Sequence, residues 1–142
     1  EAAGGAKPAG QPMDGESLLP LFAGGKKLQR ESLYWHFPGY LNVPVPRGRD
    51  QDFRTRPVSV VRKGDWKLLL YHEEWQLDGG RARVETNNAV ELYNTAADVG
   101  ERRNLARENR AKREELIDDL LAWMRRTGAP LPRHPNPAYR TA

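Results

Sequence analysis

Residues 58–71 read VSVVRKGDWKLLLY. Val58–Arg62 and Trp66–Tyr71 are rich in β-branched, aromatic and aliphatic side chains, and Lys63-Gly64-Asp65 links them through a glycine. That combination predicts a β-hairpin. Upstream, Ser32–Phe37 (SLYWHF) is a third β-prone run, ended by Pro38. Downstream, Val90–Tyr93 (VELY) alternates apolar and polar residues as a short half-buried strand does. Further on, Leu116, Ile117, Leu120, Leu121 and Met124 recur at helical spacing with Trp123 at the edge of the stripe. They predict an amphipathic helix over roughly Arg110–Arg126, stopped by Gly128 and Pro130. The expected fold class is α+β: a small antiparallel sheet of about four strands packed against one long C-terminal amphipathic helix.

The connections carry less pattern. Residues 1–13 are small, Gly-rich and Pro-containing, and predict a flexible lead or linker ahead of a domain over 14–142. The chain begins with Glu1 and its first methionine is Met13, which suggests a piece of something longer or a processed product. Ser17 is placed to cap a short helical turn over Leu18–Ala23, with Gly24-Gly25 as its stop. Residues 38–57 hold four prolines and many charges, and 72–88 form a second polar stretch with turn signals at Asp78-Gly79-Gly80 and Asn87-Asn88. Segments of that length without structure of their own are either mobile or functional. Four short strands and one helix also make a thin core for 142 residues, so either these stretches are mobile loops or the sheet packs on another domain.

Composition removes several classes of function. No apolar run approaches the ~18 residues of a membrane span, and the absence of cysteine excludes disulfides, thiolate zinc sites and a cysteine nucleophile in this chain. The net charge of +4 is concentrated: residues 44–67 hold seven Lys/Arg against three acids. A nucleic-acid binder spreads such charge along a helix face or a tail, whereas this excess sits in one loop-rich segment. No nucleic-acid partner is therefore expected. The segment fits a compact anion held by Arg forks, or a solvated face in which Asp50 and Asp52 occupy some of the arginines.

His36 is the most interesting ionisable group, at a strand end between Trp35 and Phe37 with Tyr40 just beyond. It reads as a pocket-lip histidine able to pair with an anion, or as a ring packed among aromatics. His72 and His134 have no second ligand at metal spacing. On the helix, Arg110 is expected to pair with Glu114. Asn136-Pro137-Ala138-Tyr139 matches a short adaptor-docking pattern that recurs by chance. There is no glycine-rich phosphate loop, GxSxG elbow, HExxH pair or triad, so the chain itself carries no catalytic constellation.

Taken in order, DGESLLPLFAGG (Asp14–Gly25), SLYWHFPGY (Ser32–Tyr40), VRKGDWKLLLY (Val61–Tyr71) and VELYNTAADVGERRNLA (Val90–Ala106) precede the amphipathic helix and NPAY. This series resembles the C-terminal subdomain of the formylglycine-dependent, arylsulfatase-like sulfatases, whose fold is alkaline-phosphatase-like. Val99 departs from that pattern, standing where the family has a proline. The resemblance implies a sulfuric ester hydrolase whose formylglycine and calcium lie in a catalytic domain absent from this chain, with no catalytic or metal-binding residue here. It implies that His36, Tyr40, Arg47 and Arg56 help wall the pocket for a sulfated small molecule or carbohydrate. The partner would be the catalytic domain, and the location periplasmic, secreted or lysosomal. A different class remains beside it: a stand-alone module binding sulfated glycans or other polyanions through the Arg-rich loop.

Overall fold

The computed structural model describes residues 5, 9–10, 13, 15–25, 27–46, 49–132, 134 and 136–137. Arg47, most of the 1–13 lead, and Ala138 and Tyr139 of the NPAY motif lie outside the described residues. The chain forms two compact units, Glu1–Glu31 and Ser32–Ala142.

In the first unit, helix α1 (Leu19–Phe22) is a single turn with Pro20 near its start. The Ser17 hydroxyl accepts the Leu19 N–H at 3.3 Å, and Gly25 N–H closes the turn on the Pro20 carbonyl at 2.8 Å. Glu16, just ahead of α1, accepts the N–H groups of Gln29 and Arg30 and so closes a loop around that turn.

The second unit contains strands β1 (Ser32–Phe37), β2 (Leu41–Asn42), β3 (Phe53–Thr55), β4 (Val58–Lys63) and β5 (Trp66–Tyr71). Helix α2 (His72–Leu77), a 3₁₀ turn over Gly80–Arg83, strand β6 (Val90–Asn94) and helix α3 (Arg110–Thr127) complete it. The main sheet is antiparallel throughout, in the order β1-β4-β5-β6. Its centre is the expected hairpin: Lys63 pairs with Trp66, and Gly64 at φ +56° supplies the left-handed residue of a two-residue turn.

Register sorts the side chains into two faces. His36, Ser59 and Leu70 sit opposite one another across β1, β4 and β5, as do Tyr34, Val61 and Leu68. This is the face that α3 covers. Val61, Leu68, Leu70 and Leu92 meet Leu116, Ile117 and Leu120, all fully buried, and each such side chain contributes roughly 2 kcal/mol of apolar transfer energy. Trp123 stacks on Tyr34 at 5.0 Å between ring centroids. Gly128 at φ +63° ends α3: its N–H reaches the Arg125 carbonyl and the Ala129 N–H reaches Met124, the double closure of a Schellman cap.

The VELYNTAADVGERRNLA motif is explained by backbone bonding. Asn94 Oδ1 accepts the N–H groups of Ala96 and Ala97, and Asp98 Oδ2 accepts those of Arg102 and Arg103. Asn104 Oδ1 accepts Leu92 and Ala106 N–H, tying the turn back to β6. These side chains saturate the amides of an irregular segment that has no ladder partner.

Three expectations change. The polar stretch 72–88 is structured, opening with α2 and closing around the buried Asn87, whose Nδ2 donates to the carbonyls of Asp78 and Gly80. The long 38–57 connection contains the antiparallel ribbon β2–β3. Arg110 pairs with Glu85 rather than Glu114, which meets Arg81 and Arg113 instead.

Candidate functional site

The segment between β1 and β4 leaves the sheet at Pro38 and returns at Pro57, and a polar cluster holds it down. Three consecutive residues at the start of α2, His72, Glu73 and Glu74, organise that cluster; all are at most 5% exposed. The chain turns from β5 into α2 at Tyr71, whose N–H bonds to Ala89, while the His72 N–H bonds to the Pro57 carbonyl. The turn thus points three polar side chains toward β1, β4 and the long segment.

Glu73 receives the Tyr40 hydroxyl at one oxygen and Arg56 at the other, the latter at 3.4 Å. Arg56 also donates to Asp50 Oδ2, while Asp50 Oδ1 accepts the N–H groups of Asp52 (2.8 Å) and Phe53 (2.9 Å). Burial alone would push the Asp50 carboxyl up; these amides and the guanidinium overcome it and hold it below the usual carboxylate range. Burial and the neighbouring Glu73 push the Tyr40 phenol up to about 12, so it stays a donor. The Tyr40 ring rests against Phe53 at 4.8 Å.

Glu74 holds Arg49. The guanidinium donates to Glu74 at 3.1 Å, to Glu91 at 3.2 Å and to the Asn88 carbonyl, and it lies 3.9 Å over the Tyr71 ring. Tyr71 and Tyr93 both donate to Glu91 Oε2, and both phenols are pushed up, by burial first and Glu91 second. Arg49, Asp50, Arg56, Glu74 and Glu91 line a cavity of about 280 Å³.

His72 reaches the other way. Its Nε2 lies 2.8 Å from Ser59 Oγ, which lies 2.7 Å from His36 Nδ1; His36 Nε2 lies 2.8 Å from the Pro130 carbonyl. A carbonyl only accepts, so His36 Nε2 carries a proton. In the neutral ring Nδ1 then accepts from the Ser59 hydroxyl, and Ser59 accepts from His72 Nε2–H. That ordering leaves His72 Nδ1 a bare, buried lone pair, unpartnered among the described residues, as is Glu74 Oε2. Burial, helped by His36, lowers His72 to about 4.

Two of the four residues singled out in the sequence, Tyr40 and Arg56, meet on Glu73. His36 lies on the helix-covered face, tied to the segment after α3. The carboxylates Asp50, Glu73, Glu74 and Glu91 answer the guanidinium groups of Arg49 and Arg56, so the cluster carries no excess positive charge. Chemically it anchors Tyr40, Arg49, Asp50 and Arg56 to one another and to the start of α2, because breaking one side of a buried ion pair leaves an uncompensated charge. Ser59, His72, Glu73 and Glu74 were not legible as members of it. The available signal was HEE directly after a strand, with acids in a first helical turn. Among the described residues no group of three or more His, Cys, Asp or Glu is placed to hold a metal ion.

No family model matches the chain. A curated protein named sulfatase from Formosa agariphila is 29% identical over 135 residues, covering 87% of this chain. The chain spans only 20% of that relative's length. The solved structure of BT4656 in complex with its substrate D-glucosamine-2-N,6-O-disulfate matches at TM-score 0.59 and 21% identity, over 93% of this chain and 24% of the other. A second structure, from a glycosaminoglycan-metabolism locus of Bacteroides thetaiotaomicron, reaches TM-score 0.48 at 19% identity over 83% of this chain and 21% of its own, too distant to bear on the fold. The four-stranded sheet with its C-terminal helix is thus a fold seen in BT4656, and the sulfatase resemblance carried by the motifs is borne out in sequence.

Proposed function

We propose that this chain is the C-terminal part of a sulfuric ester hydrolase, which converts a sulfate ester and water into an alcohol and sulfate. The observation that carries the reading is the sulfatase match over 87% of this chain but 20% of the relative, because a shared piece of that size acts with the remainder. The chain has neither a cysteine nor a serine in the C/S-x-P-x-R frame from which formylglycine would form, and calcium is expected beside that group. Both belong, on this reading, to the catalytic portion. The part played here is positional. The cluster on Glu73 and Glu74 anchors Tyr40, Arg49 and Arg56, and Tyr40, Arg47 and Arg56 with His36 are assigned to the wall of the sulfated-substrate pocket.

The test is sulfate release by the full-length gene product from an aryl sulfate and a sulfated monosaccharide. Tyr40→Phe and Arg47→Ala in that enzyme are expected to raise KM about tenfold, roughly 1.4 kcal/mol of lost binding, with formylglycine content unchanged. A full-length product with no sulfate ester hydrolysis overturns the reading; unchanged KM in both variants removes these residues from the wall. The rival polyanion-binding module finds less support, since Arg49 and Arg56 are already occupied by carboxylates.

A further inference from the structure

We propose that the segment leaving α3, residues 130–136, is a strap clasped across the end of β1, and that Asn136 positions Tyr40 from it. The inference rests on the reading above, in which Tyr40 belongs to the wall of the substrate pocket, and adds a residue that sets that wall. The strap is fastened at two places. At its start the Pro130 carbonyl accepts His36 Nε2–H at 2.8 Å. At its end the Asn136 side chain is hydrogen-bonded to the Tyr40 phenol. His36 and Tyr40 flank Pro38-Gly39, where the chain leaves β1.

The direction of the second bond follows from its neighbours. The Tyr40 proton is committed to Glu73 Oε1, so the phenol oxygen has only lone pairs left to offer. Asn136 therefore meets it with its amide Nδ2–H as donor. Burial and Glu73 push the phenol up, while the Asn136 bond opposes them, as a donor to the oxygen does. A directed chain runs from Asn136 through Tyr40 to Glu73, whose other oxygen Arg56 holds. With its proton and a lone pair both engaged, the Tyr40 hydroxyl has one orientation, and Phe53 already fixes one side of the ring.

Packing alone does not hold the strap. Pro130 and Leu131 are exposed, and Pro132 and Asn136 are half-buried. A groove of about 680 Å³, lined by Gln76, Leu121, Met124, Pro130, Leu131 and Pro132, lies between the strap and helices α2 and α3. The two polar clasps thus carry its position. Pro130, Pro132 and Pro137 have φ fixed by their rings, so the segment has less freedom to lose on clasping. Reach decides what each clasp does. Pro130 to Asn136 can span about 21 Å when extended, whereas His36 to Tyr40 can span only about 14 Å. The strap has slack, and the His36 clasp by itself leaves the Asn136 end free to move.

A double-mutant cycle in the full-length gene product tests this, with Asn136→Ala, Tyr40→Phe and the pair. One neutral hydrogen bond corresponds to a factor of about five, so Asn136→Ala is expected to raise KM for a sulfated monosaccharide about fivefold with kcat unchanged. In the Tyr40→Phe background it should raise KM no further, because the phenol through which it acts is gone. Asn136→Asp keeps the shape but has no N–H to donate, and should raise KM at least as much. Hydrogen exchange read by mass spectrometry is independent of activity: in Asn136→Ala the peptide holding Leu131 and Asn136 is expected to exchange about fivefold faster, with α3 unchanged.

Unchanged KM in Asn136→Ala overturns the proposal even if exchange rises, because the residue then holds only the tail. Effects on KM that add to those of Tyr40→Phe overturn it as well. Faster exchange in a full-length product without sulfate ester hydrolysis leaves the clasp standing but takes away the pocket it was to position. Hydrolysis with unchanged exchange and KM does the reverse, removing the clasp and keeping the activity.

Discussion

Lowering the pH from 7 to 5 should cost this fold about 2 kcal/mol through one side chain, His72. The ring is fully buried, its Nε2 is committed to Ser59 Oγ at 2.8 Å, and its Nδ1 has no partner among the described residues. Burial lowers its pKa to about 4, and His36, 5.6 Å away between ring centroids, opposes a second charge. In the unfolded chain a histidine titrates near 6.5. The unfolded state therefore takes up the proton first, and stability is complete above that value and lost as pH falls toward the folded one. Two-state linkage gives about 2 kcal/mol between pH 7 and 5, and about 3 kcal/mol once the pH is below 4. The carboxyls of Asp50, Glu85 and Glu115 are all held low, so their contributions are present above the ordinary carboxylate range and disappear only under it. They leave the window from pH 7 to 5 to the histidines.

The assay is urea denaturation followed by tryptophan fluorescence at half-unit steps from pH 7 to 5. The control is His72→Gln, whose amide can still donate to Ser59 Oγ and leaves the Ser59–His36 bond in place but does not titrate. The slope should flatten in the control. Histidine ring proton shifts give a second readout, in which His72 does not titrate above pH 5 in the native protein. Equal slopes in the two proteins, or a His72 resonance titrating near its ordinary value, would refute the reasoning.

Three further outcomes follow from packing. Leu120→Ala removes a fully buried side chain between α3 and the sheet and is expected to cost about 3 kcal/mol in the same denaturation experiment. Gly128→Ala meets no atom within 4 Å, so its cost is the left-handed backbone alone, about 1 kcal/mol, and no rearrangement should appear by circular dichroism. Arg56→Met leaves Glu73, 2% exposed, with Tyr40 as its remaining partner among the described residues and takes the guanidinium from Asp50; a loss of about 3 kcal/mol is expected, and a loss within error would mean that water already reaches the two carboxylates.

The strands and α3 were legible because their signals are local. A glycine turn between two β-prone runs, and five apolar residues at helical spacing, need no knowledge of the rest of the chain. The buried cluster was not, because it breaks the pattern on which such reading relies. His72, Glu73 and Glu74 are polar residues that belong inside only once Ser59, Tyr40, Arg56 and Arg49 arrive from elsewhere in the sequence. The β2–β3 ribbon is too short to show a period. Arg110 and Glu114 have the spacing of a helical ion pair, yet Arg81 and Arg113 bring better geometry to Glu114, at 2.7 and 2.8 Å. Tyr40 and Arg56 stand out in the sequence as candidates for a substrate pocket, and only the fold shows that both reach Glu73.

The seven Lys/Arg of residues 44–67 look like a polyanion site in the sequence, and the fold redistributes them. Arg49 and Arg56 face Glu74, Glu91, Asp50 and Glu73; Lys63 faces Glu115 and Asp119; Lys67 faces Glu101. Arg54 and Arg62 are exposed, and Arg47 lies outside the described residues. At most these three are left to meet a sulfated polymer. Each neutralised anion contributes on the order of 0.7–0.9 to the slope of log affinity against log salt. Heparin binding by the 142-residue chain should therefore show a slope of about 3 or less, against about 6 if the whole segment were engaged. Isothermal titration at three salt concentrations measures it. A slope near 6 would mean that the buried pairs open to the polymer, and the cluster would then be a binding surface in its own right rather than a clamp on the 38–57 segment.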